Sequence, residues 1–314
     1  MGHVDYRDGR SRAWLARVGP AGERQWDHEL ALPLEHSALT AGAVTAAGEI
    51  YVVGWSAGAG RQQILVGKLQ PDGKPEWMRT SALRLDTKAE GAIVSRDGSI
   101  VVAGFTRDSG SAGSVFLAGL NRSGKLSWQW PLADADELPW VRILESAAGG
   151  FLVAGSFGIT HVETDGRRRW EHHGIDAMSA LEDSAGDVLV MGAPHTPGRS
   201  RVELQKLTGR GTLLWRHALG DICWVAGSWP SPRGGVIVAG NPCTSEGELW
   251  LTEVSKEGRA MSVTRLKLPA GASASRAAAT RDGHVIAAGM FNQESPDGLK
   301  GWFLKSGQPV RYTK

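Results

Sequence analysis

The sequence predicts an all-β fold, a single β-propeller of four-stranded antiparallel blades spanning residues 1–314. Two recurring patterns carry that reading. Seven times a short apolar run leads into a Gly- or Pro-containing turn and then, a few residues on, to an aromatic residue or Met: Trp26, Trp77, Trp128, Trp170, Trp215, Met261 and Tyr312. The steps are 51, 51, 42, 45, 46 and 51 residues, the length of one four-stranded blade rather than of a helical hairpin. Six times a turn of the AG, DG or GG kind precedes a β-branched run ending in glycine, as in AAGEIYVVG to Gly54 and RDGSIVVAG to Gly104. The others end at Gly155, Gly192, Gly240 and Gly289.

Each blade can be assembled in chain order. An innermost strand comes first, rich in Ala, Gly and Ser (residues 37–45 or 275–280), because that strand crowds a narrow axis. The Val- and Ile-rich run follows as a second strand buried on both faces, entered through a turn whose glycine permits positive φ. A third apolar strand and a fourth, Trp-bearing strand complete the blade. No segment sustains a 3.6-residue period; SALEDSAGD and HELALPLEH are too short and interrupted for helices. There are seven Trp-type hairpins but six preceding strand pairs. Seven blades are favoured, the first incomplete with HVDYR as a candidate third strand. The alternative is six blades, with the N-terminal hairpin pairing against the last. In either case the chain ends are expected to meet, since an open ring would leave bare strand edges.

Composition excludes several classes. Thirty-five basic against 33 acidic residues leave a charge of +2, too little for a nucleic-acid partner or a basic membrane-binding surface. The run Arg167, Arg168, Arg169 reads as a solvated hairpin turn. The start, MGHVDYRDGR, has no apolar stretch, so neither a signal peptide nor a membrane span is expected. Two locations stay open: cytoplasmic, or periplasmic or secreted if this is the mature portion of a longer chain. Cys223 and Cys243 fall at the same end of one predicted hairpin, where a disulfide fits and would favour an oxidising compartment; two unpaired thiols are the alternative. No CxxC or Cys/His ligand spacing is present, and neither metal nor cofactor is expected.

The succession of VVAG strand, variable loop, apolar strand, DG-type turn and Trp-bearing strand resembles the Trp-anchored repeat of bacterial quinoprotein-like propellers. That group includes pyrroloquinoline quinone dehydrogenases and outer-membrane assembly lipoproteins of the BamB type. The resemblance covers nearly the whole chain and implies a fold; such propellers serve as enzymes, scaffolds and binding modules alike. The dehydrogenases carry a vicinal cysteine pair over the cofactor, whereas these cysteines are twenty residues apart. Nothing matches their calcium ligands or catalytic Asp, so the resemblance transfers no catalytic residue and no quinone.

Other motifs are weak. GLNRSGKL (119–126) imitates a phosphate loop, but Leu126 replaces the magnesium-binding hydroxyl and the segment reads as a hairpin. His28, His172 and His217 share the position two after the repeat Trp and are expected to face outward on an outer strand. Asp134, Asp136 and Glu137 cluster without the spacing of a calcium loop.

Geometry supplies the candidate site. The loops between blades and those between second and third strands share one face of a propeller, and ligands favour such mouths. The residues just after each VVxG strand include Trp55, Phe105, Phe157, Asn241 and Phe291: an apolar platform, or packing between blades. Glu90, Arg142, Asp176 and Arg276 stand out on inner strands of small residues, where unpaired burial would be costly, so a wet channel is expected. Arg142 and Arg276 share a repeat position and could hold a carboxylate or phosphate between them; mutual pairing with Glu90 or Asp176 is the alternative. The loop 156–158 is short, while loops 105–114 and 290–300 are long and rich in Ser, Gly and Asp, an asymmetry suited to a recognition cleft.

The expectation is therefore a non-catalytic protein-binding or assembly module, with another protein as the main partner on the loop face. The alternative is a carbohydrate-binding or glycoside-cleaving propeller using the aromatics and a carboxylate pair such as Glu90 with Asp176.

Overall fold

Among the described residues, eleven hairpin turns of one design punctuate the chain. In each, a backbone N–H bonds the carbonyl four residues on while the N–H three residues on bonds back, as at Ser95, where Ser95 N–H reaches Ser99 O and Gly98 N–H reaches Ser95 O, both at 2.8 Å. Gly98 has φ +81°, the left-handed conformation that this three-residue loop and its bulge require. Such turns join neighbouring strands into antiparallel meanders. The computed structural model describes residues 2–5, 9–19, 23–30, 32, 35–45, 47–58, 61–81, 86–95, 97–107, 113–135, 140–195, 201–291 and 301–306. Among these there is no helix, and the fold class is the all-β propeller of four-stranded antiparallel blades. The chain forms two compact units, Met1–Arg169 and Trp170–Lys314.

The first unit opens with three strands, Gly2–Asp5, Ser11–Val18 and Arg24–Glu29. Gly2–Asp5 pairs antiparallel with Ser11–Val18, and Ser11 meets His36 in a single parallel pair that ties these strands to the first blade. This arrangement is compatible with counting them as an incomplete blade of their own. The first blade comprises His36–Val44, Ile50–Gly58, Arg61–Leu69 and Pro75–Ser81. The second is Asp86–Val94, Ile100–Arg107, Gly113–Leu120 and Leu126–Ala135. The third is Val141–Glu145, Phe151–Gly155, Gly158–Val162 and Arg168–His172, the last strand containing the boundary between units.

The second unit holds a fourth blade, Ile175–Glu182, Val188–Pro194, Glu203–Leu207 and Leu213–Ala218. The fifth is Ile222–Pro230, Val236–Pro242, Glu248–Val254 and Ala260–Lys267. The sixth shows Ala272–Ala279, Val285–Phe291 and Gly301–Lys305. Tyr312, expected on its fourth strand, lies outside the described residues.

Period-two alternation explains why the VVxG strands are apolar throughout. Val52 and Leu65 pack with Ala13 and Leu15 of the N-terminal strands, while Val53 and Val66 pack with Ile100, Val102 and Phe116 of the second blade. Val101, Ala103 and Leu117 then pack with Val141, Phe151 and Val153 of the third. In the second unit Ile237, Ala239 and Leu251 meet Ala274, Val285 and Ala287. The second strands of the first and second blades thus pack on neighbours on both sides, and the apolar area removed from water is the main stabilising contribution.

The repeat Trp has a specific neighbour. A Cβ added to Gly73, Gly124, Gly211 or Gly258 would lie 2.5 to 2.9 Å from the ring of Trp26, Trp77, Trp170 or Trp215 respectively. Each outer-strand indole therefore covers a positive-φ glycine in the third-to-fourth-strand turn of the next blade, and Trp170 Nε1–H also donates to Gly209 O at 3.0 Å. The histidines expected to face outward take part in the same contact. His28 Nε2 lies 2.8 Å from Asp72 O and His172 Nε2 lies 2.9 Å from Gln205 Oε1, while His217 packs on Gly258. An imidazole two residues beyond the Trp projects on the same side of the strand as the indole, so it follows the ring onto the next turn.

A second internal device occupies one position of the third strand, three residues after the partner of the motif glycine. Lys68 lies 2.9 Å from Glu49 and 3.0 Å from Glu76, and Lys206 lies 2.9 Å from Asp183 and 3.0 Å from Asp187. At the equivalent Glu253 the sign reverses. Its buried carboxylate accepts from Arg233, Ser231 and Ser262, and these hydrogen bonds, Arg233's first, hold it below the usual carboxylate range.

Candidate functional site

The motif glycines are dictated by the inner strands. Those strands are bulged: pairing slips at Thr40, Glu90, Met178, Ala226 and Ser275 in five blades, and the fifth blade slips a second time at Cys223. In four of them the slip brings an inner-strand carbonyl against the motif glycine. A Cβ on Gly54, Gly104, Gly192 or Gly289 would lie 1.9, 2.1, 2.0 or 1.9 Å from the oxygen of Ala38, Lys88, Asp176 or Ser273. Bulges re-aim side chains and are common beside binding sites.

In the first unit this places Glu90, the extra residue of the second blade, beside Lys88. Lys88 Nζ lies 3.1 Å from Glu90 Oε1, with 29% and 23% of the two side chains exposed. The same ammonium lies 5.9 Å from the centroid of Trp55 and 5.8 Å from that of Phe105, within cation–π range. Two expected aromatics and one expected carboxylate are thus brought together around a lysine that the sequence pattern does not single out. Lys88 pairs with Phe105 and Asp176 pairs with Ala193, so both stand opposite the residue that follows a motif glycine. Aligning the inner strands on that glycine would have found Lys88, and also Trp224, which pairs with Asn241.

The other expected residues have separate settings. Phe157, in the two-residue turn before Gly158–Val162, is half-buried and packs on the core between the second and third blades. Arg142 is half-buried opposite Ala154 in an inner strand without a bulge. In the second unit Asp176 Oδ1 lies 2.6 Å from His195 Nε2. Asn241 spends both ends of its amide on the next blade, donating to Ala274 O at 2.7 Å and accepting from Ala274 N–H at 3.0 Å. Arg276 is exposed and donates to Ser275 O at 2.9 Å. The backbone of Phe291 pairs with Ala272; its side chain, most of the long loops at 105–114 and 290–300, and Asp136 and Glu137 lie outside the described residues. Glu90 and Asp176 belong to different units, and each has its own cationic or imidazole neighbour.

Cys223 and Cys243 are joined in a disulfide across the start of the fifth blade. Cys243 N–H donates to Asp221 O at 2.8 Å, the Thr244 hydroxyl donates to the Asp221 carboxylate, and Arg201 lies 3.5 Å from it. GLNRSGKL forms a hairpin turn: Asn121 Oδ1 accepts from the N–H groups of Ser123 and Lys125, which leaves neither for a phosphate.

No family model matches the chain, and no curated protein matches it. Solved structures do. A protein from Lactobacillus plantarum aligns with a TM-score of 0.59 at 10% identity, over 97% of this chain and 96% of that one. A protein of unknown function from Bacteroides caccae aligns at 0.53 and 16%, over 84% and 93%. BBS1N, solved in complex with ARL6DN, aligns at 0.53 and 14%, over 91% and 82%. At these identities the likeness speaks for the fold, a β-propeller, and for nothing finer.

Proposed function

We propose that this chain is a non-catalytic protein-binding or assembly module of the Trp-anchored, quinoprotein-like kind, and that it engages another protein through the loop ends of its first two blades. The observation that carries this reading is the grouping of Trp55, Phe105, Lys88 and Glu90. A partly exposed ion pair between the half-buried Trp55 and the buried Phe105 has the composition of an interface anchor: a rigid indole for contact area and paired charges for orientation. The BBS1N fold, solved with ARL6DN, supports the use of such a scaffold for protein recognition.

An indole beside a carboxylate also suits a sugar ring, which makes carbohydrate binding the second reading. Its glycoside-cleaving form needs two carboxylates flanking one bond; Glu90 lies against Lys88 in one unit and Asp176 against His195 in the other, which disfavours that form. Isothermal titration with purified candidate partners and with oligosaccharides, on wild type and on Trp55→Ala/Lys88→Glu, separates the readings. A protein ligand weakened at least tenfold by the double variant supports the proposal. An oligosaccharide so weakened, with no protein ligand affected, overturns it.

A further inference from the structure

The junction of the first and second blades departs from the repeat in a way that points to a second surface. Two residues beyond the repeat Trp, His28, Trp130 and His172 each hydrogen-bond to the next blade, at 2.8, 2.8 and 2.9 Å. At this junction the position is Arg79. Its guanidinium lies 6.0 Å from the centroid of Trp77 on its own strand, and among the described residues it makes no hydrogen bond or ion pair.

Where the contact is left open there is a groove of about 600 Å³, lined by Arg79, Thr80 and Ser81 of one blade and by residues 123–126 of the next. Lys125, on its far wall, likewise has no carboxylate partner among the described residues, and nearby Glu76 is committed to Lys68 at 3.0 Å. Two cations without a carboxylate partner among the described residues therefore line one groove, with the exposed Leu126 beside them. One wall is Pro75–Ser81, the last strand of its sheet, paired on one side only. Such an edge offers alternate backbone N–H and C=O groups to an added strand.

We propose that this groove receives an extended segment of a partner protein that carries acidic residues at alternate positions. Added along Pro75–Ser81, the segment directs every second side chain to one side, so its carboxylates face Arg79 and Lys125 while the residues between them point away from the groove. The site shares no residue with the loop-end cluster, and either proposal stands if the other fails.

The test is fluorescence anisotropy with a labelled decapeptide of alternating Glu and Val on the full-length protein. Binding should weaken at least tenfold with Arg79→Glu/Lys125→Glu, with the corresponding Gln–Val peptide, and between 0.05 and 0.5 M salt, since exposed charges are screened beyond about 3 to 10 Å over roughly that range. Arg79→Lys should retain binding within about threefold, and Lys256→Glu and Lys88→Glu should leave it unchanged. No binding to wild type, equal binding of the Gln–Val peptide, or equal binding by the charge-reversed protein overturns the proposal.

Discussion

Glu90 reaches Lys88, 3.1 Å away on the same strand, because a bulge inserts Glu90 as an extra residue opposite Gly104, whose missing side chain leaves room for the Lys88 carbonyl. A Cβ at position 104 would lie 2.1 Å from that oxygen. Gly104→Ala should therefore push the inner strand away, costing about 2 kcal/mol or more, and weaken any ligand that depends on the ion pair. Denaturant titration checks the first effect. Stability equal to wild type would mean that the bulge does not depend on the glycine.

Cys223 and Cys243 close a loop with a sequence separation of 20 residues, for which chain entropy predicts a contribution of about 3 kcal/mol. Cys223→Ser/Cys243→Ser should unfold at lower temperature than wild type without reductant, and reductant should bring wild type down to the variant's value. Coincident melting curves under oxidising conditions would contradict the role assigned to the bond.

Glu253 supplies a pH signature. Its folded carboxyl is held below the usual range, chiefly by Arg233, so its contribution is complete above the unfolded value of about 4.3 and is lost as pH falls through the lowered folded value. Glu253→Gln should cost roughly 3 kcal/mol at pH 7, with the gap from wild type closing as pH drops below 4. A gap independent of pH would show that the carboxylate's charge is immaterial.

Much of the fold was legible because it is repeated. Trp77, Trp128, Trp170 and Trp215 lie on fourth strands and Trp26 on the last N-terminal strand, and the VVxG runs are second strands, those of the first two blades packed on both faces. Less of the site was legible. Trp55 and Phe105 followed from their place after the motif glycine, but Lys88 did not. A bulge breaks period-two alternation, so counting along DTKAEGAIV does not reveal that Lys88 and Glu90 meet. Asn241 looked like an exposed ligand group, yet its amide bridges to Ala274, a contact between blades that local sequence does not encode. Arg79 is not distinguished by its own sequence context, because its importance lies in what its counterparts His28, Trp130 and His172 do.

The most direct test of the central claim is quantitative mass spectrometry of host-extract proteins retained on immobilised wild type, Trp55→Ala/Lys88→Glu and the distant control Lys256→Glu, followed by reconstitution of any differential partner from purified components. The account predicts one partner retained equally by wild type and control, reduced at least tenfold by the double variant, and reproduced with purified proteins. Equal retention by all three would contradict it.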